Sequence, residues 1–329
     1  MPYSADVVQA ARQRLESQKA DKQSLYRQQQ EEAYAKFPRL RQIDIQLRSS
    51  MAQAARIAFT QGTDVVAAME QLKEENMALQ KEYRELVAAN FPAGFLDDTP
   101  VCDRCGGNGY IGSTMCRCLQ QLCIEEQQRQ IAELTSGAER FSAFRLDYYP
   151  AEIDRNYGTS PRVIMEKTLS ACRQYAAGFG PDSGNLLFVG GTGLGKTFLS
   201  ACIANEVTQR GYSVAYESAP QLFAKLEKDR FSPDERSSLE TKKFSSCDLL
   251  ILDDLGTELA GGFVTAALYN LLNERLMAGK STIISTNLLS EEIARRYSPQ
   301  IASRIQGNFK GLTFVGEDIR ILKNRGIGI

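Results

Sequence analysis

Leu186-Leu187-Phe188-Val189-Gly190-Gly191-Thr192-Gly193-Leu194-Gly195-Lys196-Thr197-Phe198-Leu199 is the stretch whose reading decides the fold. Residues 190–197 fit G-x-x-x-x-G-K-[ST], with an apolar, strand-like run before them and the helix-like residues 198–206 after them. A strand-to-helix turn of this kind aims backbone N–H groups at phosphates, and the helix N-terminus adds positive potential. The glycines allow the tight wrap, Lys196 neutralises the β- and γ-phosphates, and the Thr197 hydroxyl is placed to ligate Mg²⁺. The expected cradle for ATP is therefore Gly190, Gly191, Thr192, Gly193, Leu194, Gly195, Lys196, Thr197 and Phe198.

Working outward, apolar runs at 185–189, 213–217, 248–252, 281–285 and 312–315 alternate with helical patterns. Such alternation predicts an α/β domain with a parallel five-stranded sheet flanked by helices, a P-loop NTPase architecture. The run Asp248-Leu249-Leu250-Ile251-Leu252-Asp253-Asp254 is a strand ending in two carboxylates. Asp253 is expected to hold Mg²⁺, directly or through water, and Asp254 stands where a general base would polarise the attacking water. Many related ATPases carry Glu at that place, so Glu258 is a nearby alternative. A further strand ends in Ser285-Thr286-Asn287, and an amide at that tip can orient the water and touch the γ-phosphate.

Upstream, residues 7–90 contain one glycine (Gly62) and one proline (Pro38) among Ala, Gln, Glu, Lys and Leu, which predicts helix, broken at Pro38. Residues 66–87 read as an exposed amphipathic helix, either a solvated arm or a partner-binding surface. Next comes Cys102-Asp103-Arg104-Cys105, followed by Cys116-Arg117-Cys118. Two knuckles of thiolates can enclose a tetrahedral Zn²⁺ with Cys102, Cys105, Cys116 and Cys118 as ligands. The second knuckle is tighter than C-x₂-C, which leaves Cys123 as a substitute; free thiols and an iron–sulfur cluster are the alternatives. Cys172, Cys202 and Cys247 have core-like surroundings. The working division is a helical arm (1–96), a zinc module with a connecting helix (97–139) and an ATPase domain (140–329).

Composition narrows the chemistry. The 329 residues contain no histidine, which removes imidazole-based nucleophile systems, HExxH metalloproteases and Cys₂His₂ fingers. Lys+Arg 39 against Asp+Glu 40 gives no basic surplus to announce nucleic acid. No run of apolar residues is long enough to span a bilayer and the N-terminus lacks a signal pattern, so a soluble cytoplasmic protein is expected. In residues 218–231, Lys225, Lys228 and Arg230 could meet DNA phosphates, and Phe223 or Phe231 could stack on a base, against the plainer reading of a solvated helix.

Residues 190–197, the run Leu249-Leu250-Ile251-Leu252-Asp253-Asp254-Leu255-Gly256-Thr257-Glu258, the tip Ser285-Thr286-Asn287-Leu288, and Ser303-Arg304-Ile305 followed by Gly316-Glu317-Asp318-Ile319-Arg320 resemble the AAA+ ATPases. More narrowly, they resemble the DnaC/DnaI-type loaders of the replicative helicase. The resemblance implies that Asn287 is a sensor-1 residue, Arg304 an arginine finger reaching a neighbour's nucleotide, and Arg320 a sensor-2-like contact. It also implies a DnaB-type ring helicase and single-stranded DNA as partners, and a ring or open helical assembly of roughly six subunits on the helicase. A finger supplied in trans makes hydrolysis depend on assembly. The alternatives are an IstB-like transposition helper, whose ATPase looks alike, and an adaptor in which ATP acts as an assembly switch with little turnover.

Overall fold

The computed structural model describes residues 3–59, 65–135, 137, 139–231 and 235–324. The chain divides into two compact units, Arg14–Cys116 and Met1–Gln13 with Arg117–Ile329. Among the described residues no helix is long and apolar enough to cross a membrane.

The first of these units is helical. Helix α1 (Ala5–Lys36) stops where Pro38 begins α2 (Pro38–Phe59). A proline lacks the N–H that the first turn leaves unpaired anyway, and it pushes the preceding residue out of helical geometry. Helix α3 (Val65–Asn90) packs on α2, with Arg39 and Glu82 in a bidentate pair at 2.7 and 2.8 Å. Phe91 meets Phe37 edge-on at 5.5 Å and stacks on Phe95 at 4.9 Å. On α3 Leu72 is buried while Val66, Met69 and Met77 remain exposed, as an amphipathic arm with an open apolar side requires. Gly62 lies outside the described residues. Between the cysteine knuckles a minimal antiparallel hairpin, β1 (Tyr110–Ile111) with β2 (Thr114–Met115), turns on Gly112 at φ +60°.

The second unit is a three-layer α/β structure. Helices α4 (Arg117–Leu134) and α5 (Pro161–Ala177), with two 3₁₀ turns between them (Phe141–Ala143 and Leu146–Tyr148), precede β3 (Asn185–Val189). There follow α6 (Lys196–Gln209), β4 (Val214–Ser218), α7 (Ala219–Phe231), α8 (Glu235–Ser246), β5 (Leu249–Leu255) and α9 (Gly262–Met277). The chain continues through β6 (Ser281–Thr286), α10 (Ser290–Arg296), α11 (Pro299–Asn308), β7 (Phe309–Thr313) and α12 (Ile319–Asn324). The five strands are parallel in the order β4-β5-β6-β3-β7. Central β5 and β6 are buried nearly throughout, which fits the apolar run at residues 249–252 of β5, while β6 buries Ser281, Thr282, Ser285 and Thr286 around Ile283 and Ile284. One face packs on α5 and α6 through Leu169, Phe188, Leu199 and Ile251, and the other on α7, α9 and α11 through Leu222, Leu250, Leu268 and Ile301.

Strand boundaries shift from those expected, β5 running on to Leu255. The last strand starts at Phe309, not Leu312, because Lys310 and Gly311 lie exposed on an edge strand and give no apolar signal. Helix α4 starts at Arg117, directly on the second cysteine knuckle.

Arg275, fully buried on α9, ties the two ends of this region together. Its guanidinium donates to the carbonyls of Phe244 (2.8 Å) and Cys247 (3.0 Å) at the end of α8, to the Ser281 carbonyl and to Thr282 Oγ1 (2.9 Å). Arg275→Met would strand several buried acceptors at once, so an unfolding titration should show a loss of roughly 2–4 kcal/mol.

Candidate functional site

Because β3 lies between β6 and β7 while the chain leaving it crosses to β4 at the far edge, a crevice opens at the carboxyl ends of the strands. Residues 190–197 follow β3 there. Gly193 (φ +72°) and Gly195 (φ +92°) take left-handed backbone that a side chain would strain, and Gly195 is the N-cap of α6. Lys196 is buried, and its Nζ donates to the carbonyls of Gly190 (2.8 Å) and Gly191 (2.6 Å). Burial pulls the pKa of Lys196 down, opposed by the charges of Asp254 and Asp253.

The loop is clasped from two sides. Tyr149 donates to the Leu194 carbonyl (2.9 Å), and Phe144 packs between Tyr149 and Phe198 at 5.7 and 5.8 Å. From the other end of the chain, the Ile319 N–H donates to the Gly193 carbonyl (3.0 Å), with the Asp318 carboxylate set against the space above Gly193. The resulting cleft, about 380 Å³, is lined by residues 192–198, by Asp254 and Arg320, and by Phe144 and Tyr148. Arg145, Lys196, Arg320 and Lys323 give it cationic walls, and the aromatic rings give it an apolar end, a combination suited to a nucleoside polyphosphate.

Asp253 and Asp254 end β5 beside the loop. Asp253 is buried; Tyr216 donates to its Oδ2 (2.8 Å) and Ser285 to its Oδ1. Asp254 sits at φ +54° where the β5–β6 register shifts, and its N–H donates to Ser285 Oγ (2.9 Å). Burial, with Asp253 adjacent, raises the pKa of Asp254, while Lys196 and Arg320 oppose the rise. The hydroxyl of half-buried Thr197 and the Asp253 carboxylate are hard oxygen donors of the kind Mg²⁺ takes.

The other expected residues divide. Asn287 is exposed directly after β6, whose last residue pairs with Val189. Arg320 lines the cleft; Arg304 does not, and instead lies over the Tyr269 ring (4.5 Å) and donates to its hydroxyl (2.6 Å). Glu258 is no substitute for Asp254, because it is buried and accepts from Tyr297 and from the Gly256 N–H (3.0 Å). Phe223 cannot stack on a base: it is buried under the sheet, leaving Phe231 as the exposed ring of α7. Lys225 is paired with Glu217, whereas Lys228 and Arg230 are exposed, Arg230 lying over the Phe231 and Phe263 rings at 5.8 and 5.5 Å. Sequence reasoning missed Tyr216, Ser285, Tyr149 and Asp318 as parts of the site.

Cys102, Cys105, Cys116 and Cys118 bring their sulfurs within 4.8 Å of one another. Four thiolates around a zinc ion stand about 3.8 Å apart in a regular tetrahedron, and Cys102 and Cys116 show 3.8 Å. The Gly109 N–H donates to Cys105 Sγ (3.3 Å), the kind of contact that steadies a thiolate ligand. Cys123 is outside this cluster, buried on α4 with its thiol pushed up to about 11. Burial likewise pushes Cys172 and Cys202 up to about 12, as inert core thiols require.

A model of the family described as IstB-like ATP binding protein matches residues 118–301, more than half of the chain. The chain belongs to that family. The matched segment holds residues 190–197, Asp253, Asp254 and Asn287, and ends before Arg304 and Arg320. The chain is 27% identical over 154 residues to the replicative helicase loader DnaC of Escherichia coli K12, covering 46% of this chain and 62% of that one. It is 32% identical over 107 residues to the insertion sequence IS1162 putative ATP-binding protein of Pseudomonas fluorescens, covering 32% and 45%. It therefore spans about three-fifths or less of the length of these curated relatives. Among solved structures, a crystal structure of the DnaC helicase loader is similar with TM-score 0.45 at 24% identity, covering 54% of this chain and 100% of that one. A crystal structure of DnaI is similar with TM-score 0.43 at 22% identity, covering 58% and 92%.

The cysteine geometry makes a prediction by metal analysis. Purified chain should carry zinc in a one-to-one ratio, Cys116→Ser should lose it, and Cys123→Ser should retain it.

Proposed function

We propose that the chain is an ATP-driven loader that places a DnaB-type replicative ring helicase on single-stranded DNA during initiation or restart of replication. The observation that carries this reading is the similarity to the replicative helicase loader DnaC. The cleft supplies the chemistry. Backbone N–H groups of residues 190–198 take the phosphates at the N-terminus of α6, and Lys196 offsets their charge. Thr197 and Asp253 are placed to hold Mg²⁺, which when bound neutralises charge on the β- and γ-oxygens. Asp254 takes the proton of the attacking water, Asn287 orients that water, and Arg320 faces the phosphates from α12. Arg304, directed away from its own cleft, serves a neighbouring subunit's site, so turnover rises with assembly in a ring or open helix.

In this reading the helical arm (1–96) and the zinc module (97–139) grip the helicase, while the ATPase domain (140–329) assembles and engages single-stranded DNA. Lys228, Arg230 and Phe231 are the DNA contacts that α7 leaves available. A second reading, a helper ATPase of an IS21-type insertion sequence, is favoured by the family match and by the insertion-sequence relatives. The full chain mixed with the replicative helicase of its source organism and ATP separates the two. Co-elution, with unwinding from single-stranded DNA that Lys196→Ala abolishes, supports the loader; no helicase capture, but turnover stimulated by a transposase, overturns it.

Asp254 yields a prediction of opposite signs. Its folded-state pKa is raised, so its ionisation costs folding stability that accrues as pH rises from the ordinary carboxylate range through the raised value. Asn removes the charge and tolerates φ +54°. Asp254→Asn should therefore raise the thermal midpoint while abolishing ATP hydrolysis, and parent turnover should fall on acidification at a pH above that range.

A further inference from the structure

A carboxylate that is to hold a cation works best when its rotation is already arrested. Asp253 meets that condition through two hydroxyls from the two strands that flank its own. On β4, Tyr216 is registered against Ile251, two residues before Asp253, so the three side chains share one face of the sheet. The Tyr216 ring is part of the core on that face, and its hydroxyl reaches forward to Asp253 Oδ2 at 2.8 Å. On β6, Ser285 stands two residues after Ile283, again on that face, and donates to Asp253 Oδ1. The same Ser285 oxygen accepts the Asp254 N–H at 2.9 Å, so one hydroxyl uses its donor on one carboxylate and its acceptor on the backbone of the next residue.

The second bond matters because Asp254 holds a backbone conformation unusual for a side chain, φ +54°, at the register shift between Leu252 and Leu255. Such a conformation persists only where the surroundings over-determine it. The Asp254 carbonyl is held as well, accepting from Thr257 Oγ1 at 2.8 Å and from the Thr257 N–H at 3.3 Å. Asp253 keeps further lone pairs, because a carboxylate accepts about four hydrogen bonds and the hydroxyls use one on each oxygen.

We infer that Tyr216 and Ser285 are positioning residues of the nucleotide site: a two-hydroxyl clamp that fixes the Asp253 carboxylate for Mg²⁺, with Ser285 also setting Asp254 at its turn. The inference rests on the ATP-site reading above and deepens it. Neither residue touches nucleotide. Both act through the carboxylates, as hydrogen-bond partners behind a metal ligand do.

The test uses the full chain, a fluorescent ATP analogue and the variants Tyr216→Phe, Ser285→Ala and Ser285→Thr, with affinity measured in EDTA and across a Mg²⁺ titration. Tyr216→Phe and Ser285→Ala should raise the Mg²⁺ concentration for half-maximal tightening about tenfold, leave affinity in EDTA within about twofold and leave the fold intact by thermal melting. Ser285→Thr keeps the hydroxyl and should stay near the parent. A Mg²⁺ midpoint that does not move in Tyr216→Phe and Ser285→Ala overturns the clamp, as does an equal loss with and without Mg²⁺ that Ser285→Thr shares. A parent chain that binds no nucleotide in either condition overturns the ATP-site reading and the clamp together; a parent that binds, with unmoved midpoints, overturns the clamp alone.

Discussion

One buried ammonium, Lys196, must stand beside two adjacent carboxylates, Asp253 and Asp254, without collapsing onto either, and the rest of the nucleotide site follows from that constraint. A collapsed lysine–aspartate pair would neutralise the charge a phosphate needs to meet. The fold gives two of the three other partners. The ammonium is held by the carbonyls of Gly190 and Gly191 and Asp253 by two hydroxyls, while Asp254, fixed through its backbone at φ +54°, lines the cleft. The opposed influences on Lys196 and Asp254 are the electrostatic trace of this arrangement: burial works against both charged forms, and each is favoured by the other.

Such an arrangement needs rigid walls, and they come from remote parts of the chain. Phe314 continues β7 by donating its N–H to the Val189 carbonyl at 2.8 Å, so that its backbone crowds Gly190 too closely for any side chain there. Asp318 and Ile319 then close on Gly193, while Tyr149 and Phe144 close on Leu194 and Gly195 from before the sheet. Gly190 is thus required by contact with the protein's own backbone, and Gly193 and Gly195 by their left-handed conformation.

How much of this was legible depended on whether a signal is local. The loop at 190–197, the carboxylates ending β5 and the cysteine spacing are contiguous patterns whose chemistry dictates their geometry, and the structure brings each group together. The parallel sheet was legible in the apolar runs at residues 186–189 of β3 and 249–252 of β5 and in the paired isoleucines of β6. Edge strand β7 was read late because Lys310 and Gly311 face away from the core. Tyr216 carried no signal, and Ser285 only as part of the tip before Asn287: neither reads as a partner of Asp253 until the order β4-β5-β6 sets it there. Phe223 shows the converse failure. An aromatic at helical spacing reads equally as a stacking platform or as core, and only packing against Leu250 and the rest of that face decides for core.

Helix α4 gives the sheet-containing unit a protected edge. Strand β4 is an outer strand, and its unpaired backbone would invite another chain. Gln127 of α4 meets that backbone in place of a strand, its Oε1 accepting from the Val214 N–H at 2.8 Å and its Nε2 donating to the Tyr212 carbonyl at 3.4 Å. Residues from the start of the chain join it there, with Tyr3 donating to the Gly211 carbonyl at 3.2 Å and Asp6 paired with Lys243 at 3.7 Å. The strand they hold is the one that presents Tyr216 to Asp253. Helix α4 is therefore packed, through Gln127, on the strand whose Tyr216 donates to Asp253. The helix falls in the compact unit that holds the five-stranded sheet, and the family match begins at residue 118, within its first turn.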